Sequence, residues 1–240
     1  MFCTVYALFY GKYFDLHKRL IDSLMKYLPP GEARVVCWAN TVRQETLNEL
    51  YKLRDHFGAS SMVIDSKENV PKYIAMRKMY HEVAKPDTDW ILWLDDDTYI
   101  VKKDWWKRTK DFLQSTPDAC YVGQKWYVHH LDGQWDFIKA SKWFQGLEPE
   151  LLGTKTPGVM KPGVWFMTGG YVWLRTCLME NLNWPDPRLS HNGGDTLLGE
   201  AVRQFGLPRH HYDYGVAVNK ARRRGLSESP AGAKNTNFRR

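Results

Sequence analysis

The segment Trp90-Ile91-Leu92-Trp93-Leu94-Asp95-Asp96-Asp97-Thr98-Tyr99-Ile100-Val101 drives an apolar run straight into three consecutive carboxylates. An unpaired carboxylate costs several kcal/mol away from water. Three adjacent ones also repel each other, so a positive partner is required. A hard divalent cation shared with an anionic ligand meets that requirement. On an extended backbone Asp95 and Asp97 project to one face, roughly 6–7 Å apart at Cα, so both could grip one ion. A solvated acidic turn is the plain alternative, and the apolar run before it argues for the metal.

Two more constellations follow. Phe166-Met167-Thr168-Gly169-Gly170-Tyr171-Val172-Trp173-Leu174-Arg175 places paired glycines inside a strand, which weakens it unless a ligand or another backbone approaches closely. A bulge is the competing explanation. His191-Asn192-Gly193-Gly194-Asp195-Thr196-Leu197-Leu198-Gly199-Glu200 opens an amphipathic helix. An Asp at such a position is ordinarily an N-cap, but its free oxygen can face a cleft and take a proton from a hydroxyl.

Asp-Asp-Asp-Thr-Tyr, then Gly-Gly-Tyr-Val-x-Leu-Arg, then Gly-Asp-x-x-x-Gly resembles, in order, the GT-A glycosyltransferases. The pattern is most similar to the Fringe-like and core-1 galactosyltransferase-like β1,3-transferases, over residues 70–211. A phage enzyme that glycosylates DNA is a relative in kind. The resemblance implies an α/β fold of GT-A, Rossmann-like type, with a mixed, mainly parallel sheet flanked by helices. It implies a divalent metal, Mn2+ or Mg2+, and a nucleotide-sugar donor, with UDP the usual carrier. Asp97 would be the direct metal ligand, while Asp95 and Asp96 would serve ribose, sugar or metal-bound water. Gly169 and Gly170 would floor the site, and Asp195 would be the general base of an inverting, single-displacement transfer. A metal-binding His would follow the base-bearing helix, with His211 preferred over His210. Tyr10 and Asp65, at ends of the first strands, would recognise the base. The chain departs from the family in the single acid of Gly194-Asp195, in the missing alanine after the glycine pair, and in lacking the family's disulfides and anchor.

Positioning these residues takes a strand–helix alternation. Strands are expected at Cys3–Tyr10, Arg34–Asn40, Ser61–Asp65 and Trp90–Asp95. Helices lie between them, the last at Pro71–Ala84, and short links imply parallel strands. Ligands of such sheets bind at the C-terminal strand ends, where Asp95–Asp97 fall. The helix at 71–84 carries Lys72, Arg77 and Lys78, of which Arg77 is the favoured partner for the acids or a diphosphate. Beyond it come a helix from Asp104 to Gln114, strands at Tyr121–Val128 and Val164–Leu174, and a helix at Asp195–Phe205. Residues 129–163, rich in Trp, Gly and Pro, carry no clear period and read as a long functional loop. The 240 residues are expected to form a single domain.

No apolar run is long enough to span a bilayer, and the N-terminus reads as a strand, so a cytoplasmic protein is expected. Cys3, Cys37, Cys120 and Cys177 look like reduced core thiols. Residues 203–240 hold nine Lys or Arg against Asp213 and Glu228, which equals the whole net charge of +7. That basic tail from about 216 onward, with Arg222, Arg223 and Arg224, suits a polyanion. Together with Trp126, Trp135 and Trp143 as stacking platforms it points first to double-stranded DNA carrying 5-hydroxymethylated pyrimidines. A lipid-linked glycan or lipopolysaccharide core is the alternative acceptor. A non-catalytic nucleic-acid-binding module stays open, and a metal-dependent phosphotransferase or nuclease leaves the glycine pair and Asp195 without a task.

Overall fold

The computed structural model describes residues 1–129, 134–190 and 193–218. Strands β1 (Cys3–Tyr10), β2 (Ala33–Asn40), β3 (Met62–Ser66) and β4 (Trp90–Asp95) alternate with helices α1 (Phe14–Tyr27), α2 (Gln44–Phe57) and α3 (Lys72–Arg77). A π-helical turn, Lys78–Val83, continues α3. After a short β5 (Tyr99–Ile100) come α4 (Trp105–Ser115), β6 (Tyr121–His129), α5 (Gln134–Lys139) and β7 (Glu150–Gly153). The long strand β8 (Met160–Arg175) leads into α6 (Thr176–Leu182), α7 (Gly194–Gln204), β9 (His210–His211) and β10 (Val216–Ala217).

The sheet runs β3-β2-β1-β4-β8-β6-β9, with β7 paired to β8. The first four strands are parallel, β8 is antiparallel to both β4 and β6, and β9 is parallel to β6. This is the mixed, mainly parallel α/β architecture expected from the sequence. Strand side chains alternate between faces, so each buried strand feeds two cores. Val5, Ala7 and Phe9 pack with Leu20, Leu24 and Leu50 on one side; Tyr6 and Trp93 pack with Met76, Met79 and Leu197 on the other. Each such fully buried side chain contributes about 1.5–3 kcal/mol, which fixes the register that sets the strand ends.

Three expectations need correction. Residues 129–163 are not one loop: they contain α5, β7 and the first residues of β8, and β7 pairs with β8 through Leu151↔Pro162 and Gly153↔Met160. The helix α6 has no counterpart in the sequence reading. Only Cys3 and Cys37 are buried core thiols, each pushed up by that burial; Cys120 is half-buried and Cys177 is exposed. No helix among the described residues is long and apolar enough to cross a membrane.

Candidate active site

An open cleft of about 220 Å³ lies at the C-terminal ends of β1, β2 and β4, walled by Tyr10, Asn40, Lys72, Asp95, Asp97 and Asp195 among others. The sheet explains why. Leu8 pairs with Asp95, so β1 and β4 end side by side, and the chain then turns. The Thr98 N–H donates to the Asp95 carbonyl at 3.1 Å, which makes Asp96 and Asp97 the corners of a turn, not a continued strand.

The three acids divide by environment. Asp96 is 2% exposed. Its Oδ2 accepts the Tyr10 N–H at 2.9 Å and lies 3.2 Å from His17 Nε2. His17 Nδ1 is 2.9 Å from Thr46 Oγ1. Asp96 therefore ties β1, α1 and α2 to the turn while still lining the cleft. Asp95 and Asp97 stand beside it on the cleft wall. The Lys72 ammonium donates to Asp95 Oδ2 at 2.6 Å, both side chains being partly exposed. Burial works against that ammonium, but attraction to Asp95 and their hydrogen bond outweigh it, so its pKa lies above the ordinary lysine value.

Asp195 faces Lys72 from the opposite wall. The N-cap of α7 is Gly193, at φ 82°, so Asp195 sits in the first turn with its carboxylate released from capping. Its Oδ1 accepts the Thr196 N–H at 3.0 Å and its Oδ2 the Gly169 N–H at 3.4 Å. Burial raises its pKa above the usual aspartate value; the Lys72 charge and these N–H groups offset part of that rise. The Asp195 N–H donates to the Tyr73 hydroxyl at 2.9 Å, which fixes where the helix begins.

Tyr73 also accounts for the departure at Gly194. A Cβ there would lie 2.2 Å from Tyr73 Cζ, so the second acid of the related motif has no room. Gly199, one turn on, lets α7 lie directly on β8: a Cβ would sit 2.5 Å from the Trp165 carbonyl oxygen. The glycine pair of β8 lies in a bulge. The β6–β8 register jumps from Gly123↔Val172 to Lys125↔Met167, so four residues of β8, Thr168 to Tyr171, oppose Gln124 alone. A Cβ on Gly169 would stand 3.0 Å from Lys72 Nζ and 3.8 Å from Asp195 Oδ2. Gly170 is buried beside it.

Other expected residues lie elsewhere. Arg77 donates to the Asn183 side chain and to the Pro185 carbonyl at 2.7 Å, away from the acids; Lys72 takes the place assigned to it. Asp65, next to the end of β3, is in an ion pair with Lys67 and is absent from the cleft wall, where Asn40 stands instead. Asn40 holds the loop before α3 by accepting the Val70 N–H at 2.9 Å. His210 and His211 lie on β9, three strands from β4, about 14 Å away at the usual strand spacing. His211 Nδ1 accepts the Lys125 N–H at 3.1 Å. Trp143 is 5% exposed in the core and offers no free stacking face, while Trp135 is half-buried against the same core cluster, T-shaped to Phe144. Trp126 is exposed. Arg222, Arg223 and Arg224, with His191 and Asn192, lie outside the described residues.

The donor chemistry of Asp95 and Asp97, oxygen ligands on one turn, fits a hard divalent ion completed by ligand oxygens. Among the described residues no three His, Cys, Asp or Glu side chains come close enough to enclose an ion, so the histidine ligand expected at 210 or 211 is not assembled.

The fold belongs with solved GT-A glycosyltransferases. The chain is similar to the mannosyltransferase PcManGT from Pyrobaculum calidifontis, solved with GDP-Man and Mn2+, at 14% identity and a TM-score of 0.57 over 88% of this chain and 54% of that one. It is similar to S. aureus TarS 1–349 in complex with UDP-GlcNAc at 17% identity and a TM-score of 0.55, over 94% of this chain and 60% of that one. It is also similar to GalNAc-T7 with UDP, GalNAc and Mn2+, at 16% identity and a TM-score of 0.57, over 86% and 41%. The chain thus spans about half the length of these structures. No family model matches the sequence, and no curated protein matches it by sequence.

Proposed function

We propose that the protein is a metal-dependent glycosyltransferase that moves a sugar from a nucleotide sugar, most simply a UDP-sugar, to an acceptor hydroxyl with inversion. The observation that carries this is the cleft itself: two carboxylates on one turn share it with Asp195, and Lys72, paired with Asp95, lies close to Asp195 above Gly169. The three neighbours above were solved with nucleotides or nucleotide sugars, two of them with Mn2+.

Asp95 and Asp97 would hold the metal, which when bound supplies charge to the departing nucleoside diphosphate. Tyr10 and Asn40 lie on the nucleotide side of the cleft. Lys72 keeps Asp95 in place and adds a positive charge beside the sugar position. Asp195, its oxygens oriented by Gly169 and Thr196, is the base that takes the acceptor proton; its raised pKa makes it a stronger base than a surface aspartate. One carboxylate opposite a metal-side pair suits single displacement.

The DNA reading keeps less support than the sequence offered, because Trp143 is core and Trp135 is half-covered. The exposed apolar arm described below favours a glycan carried on a lipid. The test is nucleoside diphosphate release from a panel of nucleotide sugars with Mn2+, with hydroxymethylated duplex or a lipid-linked glycan added. Release that requires Mn2+ and vanishes in Asp97→Ala is expected, accelerated by the lipid-linked acceptor. Acceleration by the duplex instead would restore DNA as acceptor. No release with any donor would leave a binding module and overturn the enzyme reading.

A further inference from the structure

Five of the eleven large hydrophobic side chains exposed among the described residues belong to one projecting piece: Trp126, Tyr127, Leu151, Val159 and Met160. The register shows why this piece projects. β8 pairs with β4 only from Tyr171 to Arg175, so its first eleven residues run on past the end of β4, alongside β6 and β7. These three strands form an arm on the cleft side of the sheet. Opposed residues share a face, which sets Trp126, Leu151, Met160 and Pro162 on one side and Lys125, Tyr127, Lys161 and Trp165 on the other. At the tip Leu151 is 60% and Met160 54% exposed.

The arm is also cationic. Lys155 and Lys161 are exposed and, among the described residues, pair with no carboxylate. The Lys125 ammonium lies 4.4 Å over the Trp165 ring. Glu150, the acid of β7, is neutralised by Arg209 at 3.0 Å. An apolar tip flanked by free lysines and edged by Trp and Tyr matches the boundary between acyl chains and headgroups. A nucleic acid would satisfy the lysines but give Leu151, Val159 and Met160 nothing to enter. A second copy of the arm would set like charges together.

We propose that this arm docks on an anionic lipid surface, with Leu151, Val159 and Met160 entering the acyl boundary and Lys155 and Lys161 meeting the headgroups. Its consequence, that the acceptor is a lipid-carried glycan, rests on the glycosyltransferase reading; the docking does not. Nine residues of extended strand separate Met160 from Gly169, so the tip stands about 30 Å from the cleft floor.

The test is co-sedimentation of the full chain with vesicles of phosphatidylcholine alone, or mixed with phosphatidylglycerol, at low salt and without donor. Binding to the anionic vesicles is expected, with at least tenfold less to the neutral ones. Leu151→Asp with Met160→Asp should weaken it at least tenfold. Lys155→Gln with Lys161→Gln should weaken it about tenfold and flatten its salt dependence. Circular dichroism and unchanged donor turnover in solution would show that the variants fold. Equal vesicle binding by wild type and variants, or none by either, would overturn the proposal. So would loss of duplex binding or of self-association in the same variants without loss of vesicle binding. If the wild type docks but turns over no donor, the catalytic reading fails and the docking stands.

Discussion

Replacing Lys72 by Met tests whether the lysine acts on Asp195. Lys72 Nζ and Asp195 Oδ2 lie 3.0 and 3.8 Å from the same point above Gly169, so the charges are at most about 7 Å apart. At that separation and an effective dielectric of about 20, Coulomb attraction is about 2 kcal/mol. The cleft is open and both side chains are partly exposed, which halves the figure to about 1 kcal/mol, or about 0.7 pH unit. The sign is fixed by the chemistry. Asp195 already titrates above an ordinary aspartate because its partly covered carboxylate is desolvated, and Lys72 opposes that rise. Removing the ammonium raises the Asp195 pKa further, so less base is deprotonated at a given pH. The acid limb of the kcat/KM profile for donor turnover should therefore move up by about 0.7 pH unit in Lys72→Met. Lys72→Arg should leave it near the wild-type position. The profile is to be recorded at saturating Mn2+, because loss of Lys72 also releases Asp95, and at low salt, where screening is least. An acid limb that stays fixed in Lys72→Met, whatever happens to the rate, would refute an electrostatic link between these residues.

Gly169→Ala places a methyl 3.0 Å from the Lys72 ammonium, so thermal unfolding should change little while donor kcat/KM falls at least tenfold. Asp96→Ala removes the acceptor of the Tyr10 N–H and one partner of His17 Nε2, and urea unfolding should show a loss of about 1–3 kcal/mol; a donor-binding defect at unchanged stability would show that the carboxylate serves the ligand and not the fold. Trp143→Ala should cost about 3–5 kcal/mol in the same assay, whereas Trp126→Ala should cost under about 0.5 kcal/mol, because only Trp143 is core.

The four parallel strands were readable because each is a short apolar run closed by a polar residue, and Asp95–Asp97 fell at a strand end for the same reason. The choice between Lys72 and Arg77 was not readable. Five residues apart on a helix, they point about 140° from each other, and only the packing of α3 on the sheet decides which one meets the acids. Tyr73 and Asn40 were missed because each acts through a partner distant in sequence: Asp195 for one, Val70 for the other. Within 129–163, β7 and the start of β8 leave no legible period because β7 has only four residues and the start of β8 carries Gly and Pro. Trp143 looked like a platform because tryptophan serves cores and surfaces alike, and composition does not separate the two.

The most direct test pairs binding with turnover in Asp97→Asn and Asp195→Asn. Nucleoside diphosphate affinity is measured by calorimetry with Mn2+, and donor turnover by diphosphate release with acceptor. The roles assigned here predict that Asp97→Asn loses Mn2+-dependent binding, while Asp195→Asn binds as the wild type does and turns over about 10²–10⁴ times more slowly. Wild-type turnover in Asp195→Asn, or wild-type Mn2+-dependent binding in Asp97→Asn, would contradict the division of the cleft into a metal side and a base side.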